Sequence, residues 1–169
     1  MNFQEMDIKT LEGNPWKMIG DDWMLVAAKK DGQVNAMTAS WGGVGIMWGK
    51  TAATIYLRPQ RYTKEFVDAN DTFTLSFFGG REKQAMGYLG KVSGRDEPDK
   101  ISRTDLHLTD LGGAPAFREA ELVLVCRKLY AQEMKPECFL AREEIDKWYP
   151  DRDFHTMYIA EIVKAYRNQ

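Results

Sequence analysis

NAMTASW, residues 35–41, decides the fold when it is read together with RPQRYT, residues 58–63. The first stretch is a strand that runs out into small and hydroxyl-bearing residues. The second stretch follows another strand and brings two arginines, a tyrosine and a threonine to the start of a helix. The rest of the chain is interpreted as a β-barrel that holds these two strand ends beside each other.

Composition indicates one globular domain. The chain has 169 residues, 44% of them hydrophobic, which is enough to bury a core and argues against global disorder. Its 23 Lys and Arg residues nearly balance its 25 Asp and Glu residues, so charge gives no reason to expect a nucleic-acid or membrane partner. No secretory signal or membrane-spanning run is visible, and the two cysteines are expected as reduced thiols. We therefore expect a cytoplasmic protein.

Six strands are predicted from runs of apolar, β-branched and aromatic residues. Asp31-Gly32 predicts a tight hairpin turn between the first two strands, because Gly tolerates the positive φ that such a turn needs. Residues 41–49 are interpreted as a glycine-rich connection. Strands do not alternate with long crossover helices, which disfavours a parallel doubly wound sheet. The predicted strands span residues 23–28, 33–39, 51–57, 72–78, 120–133 and 154–165.

Short helices are predicted between the strands. Pro59 suits the first turn of a helix, and apolar residues recur at helical spacing over residues 60–69. Residues 82–89 have the composition of a second short helix. Residues 90–117 are mostly polar and broken by Gly and Pro, which predicts a long excursion with one helical turn near residues 99–102.

An anion site is predicted where the first helix opens. The first N–H groups of a helix are unpaired, and the helix dipole favours negative charge there. Arg58 and Arg61 bring guanidinium groups to this point, and Tyr62 and Thr63 bring hydroxyl groups. A phosphate suits this combination, since each charge-assisted hydrogen bond contributes about 1.5–3 kcal/mol. The small side chains of residues 37–40 could support a planar heterocycle, but a strand that reaches its turn explains them better on pattern alone.

Other common sites are excluded by spacing. Gly49-Lys50-Thr51 resembles the end of a P-loop, but the required first glycine is Val44 and a strand follows where a helix is needed. The two histidines, His107 and His155, are far apart, and there is no G-x-S-x-G elbow. We expect no metal site, and we interpret His155 as a structural or surface residue rather than a base.

Four motifs in order resemble those of the flavin reductase-like family, the FMN-binding split-barrel proteins that include flavoredoxin. The resemblance extends from about Trp16 to the last strand. It implies a mainly β fold, a six-stranded antiparallel Greek-key split β-barrel with flanking short helices, as a single domain over residues 1–169 that forms a homodimer. The motifs are residues 35–41, residues 58–63, FTLSFF at 73–78, and KVSGRD at 91–96 with Asp99-Lys100 following.

The resemblance also implies an FMN site near the dimer interface. The end of the second predicted strand would contact the isoalloxazine and ribityl groups, largely through its backbone. The arginine motif would meet the phosphate, and a later loop would close over the flavin. FAD stays open as the cofactor, because a phosphate site alone does not show how many phosphate groups the ligand carries. The implied cofactor-binding residues are Met37, Thr38, Ala39, Ser40 and Trp41 for the ring, Arg58, Tyr62 and Thr63 for the phosphate, and Lys91, Ser93 and Gly94 in the loop.

The function implied by the resemblance is that of a flavin reductase, which passes hydride from NADH or NADPH to the flavin N5. Flavin supplies this chemistry, so no catalytic side chain is required. Two alternatives stay open: a flavoredoxin-type electron carrier reduced by a protein partner, and a non-catalytic flavin-binding module. The bulky Trp41 and Trp48 and the glycine-rich connection depart from the nicotinamide-dependent reductases, which leaves the electron donor open.

Overall fold

The fold is described from a computed structural model, over residues 2–169. Three α-helices, short 3-10 turns and one π-type turn join the strands. The helices are α1 Tyr62–Asp68, α2 Lys83–Lys91 and α3 Glu143–Trp148, and the other turns span Ile8–Thr10, Lys17–Asp21, Lys100–Arg103 and Pro136–Cys138. The strands are β1 Phe3–Met6, β2 Met24–Lys30, β3 Gln33–Ala39, β4 Gly42–Met47, β5 Lys50–Leu57, β6 Thr72–Phe77, β7 Leu108–Leu111, β8 Ala114–Phe117, β9 Leu122–Glu133 and β10 Thr156–Asn168.

The main sheet curls until its two ends meet. Its strand order is β3-β2-β6-β9-β10-β5-β4, and β1 also pairs with β10. Only Ser40 and Trp41 separate β3 from β4, so the first and last strands of this order must lie close together. Gly42 lets the start of β4 lie close to β5, since a Cβ there would lie 2.6 Å from the carbonyl oxygen of Thr54. Within residues 2–169, β3 and β4 do not pair with each other, and the barrel is split along this seam.

Both faces of the central strands are buried. Met24, Val26 and Ala28 of β2 point into the barrel core, and Leu25 and Ala27 point into a second, outer core. Helix α2 and the β7–β8 hairpin supply the other side of the outer core. Because side chains alternate between the two faces of a strand, this double burial explains why β2 is one continuous apolar run.

Of the two tight hairpin turns that flank β3 and β5, one was predicted from the sequence. Asp31 and Gly32 have φ values of 50° and 80° and join β2 to β3, as the Asp-Gly pair predicts. Trp48 and Gly49 have φ values of 50° and 70° and join β4 to β5. Thr51 lies inside β5, so the rejection of a P-loop at this position is confirmed.

The predicted antiparallel, mainly β class is confirmed, but the prediction of six strands is too low. The glycine-rich connection contains β4, which forms a ladder with β5 although Gly has a low strand propensity. The predicted long excursion contains the β7–β8 hairpin, which Gly112 and Gly113 close with φ values of 64° and 85°. Strand β1 was also not predicted, and it pairs antiparallel with the C-terminal half of β10.

Helix α1 begins at Tyr62 instead of at Pro59 or Gln60. Pro59 lies in a turn in which the Arg61 N–H donates to the Arg58 carbonyl oxygen, at 3.1 Å. Arg61 is extended, with φ −73° and ψ 117°, and directly precedes the helix. The turn reverses the chain between the two arginines, and their side chains therefore contact different parts of the protein.

None of the helices formed by residues 2–169 has the length and apolar character needed to cross a membrane.

Candidate functional site

The ends of β3 and β5 frame a cavity of about 380 Å³. This cavity, which we call the aromatic half of the site, carries no acidic side chain on its walls within the described chain. Its lining residues are Met37, Thr38, Ala39, Ser40, Trp41, Tyr56, Arg58, Arg61, Trp148 and His155.

A second cavity of about 200 Å³ adjoins the first and shares Met37 and Arg61 with it. We call it the cationic half, because it is lined by three basic residues and, within residues 2–169, by no acidic one. We call the two adjoining cavities together the cleft. The cationic half is lined by Asn35, Met37, Gln60, Arg61, Tyr62, Thr63, Lys91, Val92, Ser93, Gly94 and Lys100.

Helix α2 is fastened to β3 behind the cleft. The Thr38 hydroxyl donates to the Met86 carbonyl oxygen at 2.5 Å. A Cβ at Gly90 would lie 3.1 Å from the Thr38 Cβ, so glycine lets the helix end lie close to the strand. The hydroxyl of Thr38 is therefore engaged in packing, and what the strand offers a ligand here is mainly its backbone.

The cationic half is rigidly built. The Arg61 Nη1 donates to the Gly90 carbonyl oxygen at 2.7 Å, and burial lowers the pKa of Arg61 from its usual value. The buried Asn35 donates through Nδ2 to the Thr63 Oγ1 at 3.0 Å. Gly94 lies directly against Asn35, because an added Cβ would be 3.0 Å from the Asn35 Cγ and closer still to its Oδ1. These contacts hold the loop after α2 against β3 and α1.

Aromatic rings line the other half. The rings of Trp41 and Trp148 meet edge to face with centroids 5.0 Å apart, and the Trp41 and His155 rings are 5.1 Å apart. His155 is buried, and its Nδ1 lies 2.8 Å from the Tyr149 hydroxyl. Burial, followed by the nearby positive charge of Arg58, lowers the pKa of His155 to about 4, so the imidazole is neutral at physiological pH. His155 was interpreted as a structural or surface residue; it is buried, and its position on the cavity wall was not predicted.

Arg58 belongs to the aromatic half and not to the group around Tyr62 and Thr63. Its Nη1 donates to the Asp153 Oδ2 at 2.5 Å, and its Nη2 donates to the Trp148 carbonyl oxygen at 2.8 Å. The prediction grouped Arg58 with Arg61 at one helix start, but the intervening turn separates them. A phosphate contact by Arg58 stays a prediction, and the structure gives this guanidinium two other partners.

All eleven predicted cofactor-binding residues line one half or the other. Those predicted for the ring and Arg58 lie in the aromatic half, and Tyr62, Thr63 and the three loop residues lie in the cationic half. Arg61 was placed at the predicted anion site but was not among the cofactor-binding residues that the resemblance implies. Trp148 and His155 come from a distant segment, and no spacing in the sequence connects them to β3. The lining residues outside the predicted set are Asn35, Tyr56, Gln60, Arg61, Val92, Lys100, Trp148 and His155.

The fold and the cleft together define a split β-barrel with a two-part site at the ends of β3 and β5. Residues 19–169 match the model of the flavin reductase like domain. The chain therefore belongs to the flavin reductase-like family, and the resemblance found in its sequence motifs is confirmed. No curated protein matches the chain significantly.

Solved structures of the family share the fold at low sequence identity. An FMN-binding domain of a flavin reductases-like enzyme from Shewanella baltica has a TM-score of 0.71 at 18% identity, over 98% of this chain and 77% of that one. A flavoredoxin from Methanosarcina acetivorans has a TM-score of 0.65 at 23% identity, over 88% and 69%. An NADH:FAD oxidoreductase from Streptomyces globisporus has a TM-score of 0.65 at 18% identity, over 87% and 74%.

Proposed function

We propose that this protein binds FMN and reduces it with NADH or NADPH. The observation that carries the proposal is the cleft, in which an aromatic half and a cationic half join at Met37 and Arg61. A flavin mononucleotide is divided in the same way, with a planar ring at one end and a phosphate at the other. FAD is the alternative ligand, and its binding should be measured alongside that of FMN.

The residues of the cationic half suit a phosphate. Arg61 and Lys91 supply positive charge, and Thr63 and Ser93 supply hydroxyl groups. Guanidinium and ammonium groups make the strongest hydrogen bonds to phosphate oxygens, and hydroxyl groups add weaker ones. Without an acidic residue among the described lining residues, nothing in this half repels the anion.

The residues of the aromatic half would hold and shield the ring. Bound FMN supplies the redox chemistry, because its isoalloxazine ring accepts a hydride from a nicotinamide. The backbone at the end of β3 would orient the ring, and the Trp41–Trp148 pair would shield it from water. The neutral His155 adds no charge. Hydride transfer needs no side-chain acid or base, so we assign no catalytic residue.

Two neighbours support this assignment. The S. globisporus protein is named as an NADH:FAD oxidoreductase, and its structure is a complex with NAD and FAD fragments. The S. baltica protein is named as an FMN-binding domain. We further propose that this protein acts as a homodimer with the cleft near the interface, as the family resemblance implies.

The test is an anaerobic titration of the FMN-loaded protein with NADH and then with NADPH, following the visible absorbance of the oxidised flavin. We expect bleaching within seconds by one of the two nucleotides, which also identifies the donor. Colour that persists with both nucleotides but is lost with dithionite would overturn the nicotinamide-dependent activity. A protein that neither copurifies with flavin nor quenches FMN fluorescence would overturn flavin binding itself.

A flavoredoxin-type electron carrier is the second candidate. Trp41 and Trp148 are 38% and 40% exposed, so an aromatic surface lies at the edge of the cleft. Exposed aromatic residues are common at protein–protein contacts, and such a surface suits a protein electron donor. Reduction by dithionite but by neither nicotinamide would favour this candidate.

A further inference from the structure

Lys100 is a buried cation that the proposed function has not yet used. It is 2% exposed, opens the 3-10 turn after the loop, and lines the cationic half. Its Nζ donates to the Leu89 carbonyl oxygen at 3.0 Å and to the Val92 carbonyl oxygen at 2.8 Å. An ammonium group has three donors, so one remains for a further partner.

The charge of Lys100 is not balanced within the protein. In the described chain, residues 2–169, neither Lys100 nor Arg61 forms an ion pair with a carboxylate. Instead, the two cations repel each other, and their polar contacts are the backbone carbonyl groups of Leu89, Gly90 and Val92. Placing a buried and a half-buried cation side by side without a counter-ion is unfavourable, and an anion bound between them would relieve this cost.

We propose that Lys100, together with Arg61, binds the terminal phosphate monoester of FMN. This inference rests on the proposed function, since it names the chemistry of one end of the same cleft. Lys100 is a binding residue for the phosphate and takes no part in hydride transfer. The carbonyl groups at the end of α2 hold its Nζ in place before the phosphate arrives.

The surroundings of Lys100 give the site a pH dependence. Burial, followed by repulsion from Arg61, lowers the pKa of Lys100 to about 8. Glu97 and Asp99, the acidic residues that precede its turn, are both paired with Arg103. FMN affinity should therefore fall as pH rises from 7 to 9, because the free protein loses the ammonium charge in this range. The titratable and charged groups on the surrounding elements are Arg61 and Tyr62 at the start of α1, Lys91 at the end of α2, and Glu97, Asp99 and Arg103 beside Lys100.

The test compares FMN with riboflavin, which has the same ring and no phosphate. We expect Lys100→Met to weaken FMN binding about ten- to a hundredfold, since one hydrogen bond to a charged group is lost. Riboflavin binding, measured by fluorescence quenching, should change less than about twofold. A structural role alone would weaken both ligands equally, and unchanged FMN binding would also overturn the inference. If the wild-type protein binds neither ligand, the proposed function fails instead.

Lys128→Met is the matched control. The Lys128 Nζ also donates to two backbone carbonyl groups at a helix end, those of Val67 and Asp68, at 2.6 Å and 3.2 Å. Lys128 does not line the cleft. Its loss should lower stability and leave the ratio of FMN to riboflavin affinity unchanged.

Lys100→Arg provides a second readout if Lys100→Met does not fold. For the wild-type protein, FMN affinity should fall about tenfold between pH 7 and pH 9 while riboflavin affinity follows no such step. An arginine stays protonated throughout this range, so the step should be absent from Lys100→Arg. A wild-type FMN affinity that does not change relative to riboflavin would contradict the proposal, as would a step that persists in Lys100→Arg.

Discussion

Gly94 shows how closely single residues are fitted around the cationic half. The loop after α2 lies so near β3 that a side chain at Gly94 would collide with the buried amide of Asn35. That amide in turn donates to Thr63, which belongs to α1. Because Gly94 has no side chain, the loop, strand β3 and helix α1 can meet at the proposed phosphate site.

Gly94→Ala should disturb this junction. We expect it to destabilise the protein by about 1–3 kcal/mol, as overpacking of a filled site does, and to weaken FMN binding. Gly87→Ala is the control, because Gly87 lies in α2 with no atom within 4 Å of an added Cβ. That change should stabilise the protein by up to about 1 kcal/mol. Urea unfolding of both variants checks the prediction, and equal effects would contradict it.

At the scale of elements, the segment from Met134 to His155 forms one wall of the aromatic half. Its own small core consists of Ile145, Tyr149 and Phe154, with Met134 and Phe139 packed against them. Arg58 at the end of β5 ties this segment to the barrel through Asp153 and the Trp148 carbonyl oxygen. The wall therefore depends on a few contacts rather than on the main core.

Arg58→Met should loosen this segment while the barrel stays folded. Losing the charged hydrogen bonds should destabilise the segment locally by about 1–3 kcal/mol, which should raise its rate of cleavage by protease roughly fivefold to a hundredfold. Limited proteolysis measures the effect, and near-UV circular dichroism follows the environment of Trp148. Arg142→Met alters an exposed arginine of the same segment, and the protease should cleave this variant at the same rate as the wild type.

The same variant also tests where Arg58 acts. Its position predicts that Arg58→Met leaves the ratio of FMN to riboflavin affinity unchanged. A selective loss of FMN binding would instead support the phosphate contact predicted from the sequence motif.

At the scale of the whole molecule, stability should depend on pH through His155. In the unfolded chain a histidine has a pKa of about 6.5, whereas burial lowers the pKa of His155 in the fold to about 4. Between these values the unfolded chain binds a proton that the folded protein does not. The contribution of this pKa difference to the free energy of unfolding is fully present above pH 6.5 and is lost as pH falls towards 4.

His155→Gln should flatten this part of the stability curve. We expect the free energy of unfolding of the wild type to fall by about 1–2 kcal/mol from pH 7.5 to pH 5, and that of His155→Gln to fall less. His107→Gln, a change at the exposed histidine beside Glu119, is the control and should follow the wild type. Parallel curves for all three proteins, from denaturant unfolding at each pH, would show that His155 is not the source.

Local sequence signals predicted the elements with strong patterns. The Asp31-Gly32 turn has clear turn chemistry, and β2, β6 and β9 are apolar, β-branched or aromatic runs of strand length. Strand β4 was missed because glycine weakens the strand signal, although its pairing with β5 supplies the hydrogen bonds that hold it. The Gly112-Gly113 pair is a hairpin signal that could have revealed β7 and β8.

By itself, the sequence determined the family, the antiparallel class and the residues of two strand ends, because these depend on motifs and on patterns a few residues long. Only the tertiary structure decided which side chains meet. The turn at Pro59 separates Arg58 from Arg61, the distant Trp148 and His155 close the aromatic half, and Lys100 comes to lie beside Arg61. Contacts between residues far apart in the chain are set by how the barrel closes and packs, and no local pattern encodes that geometry.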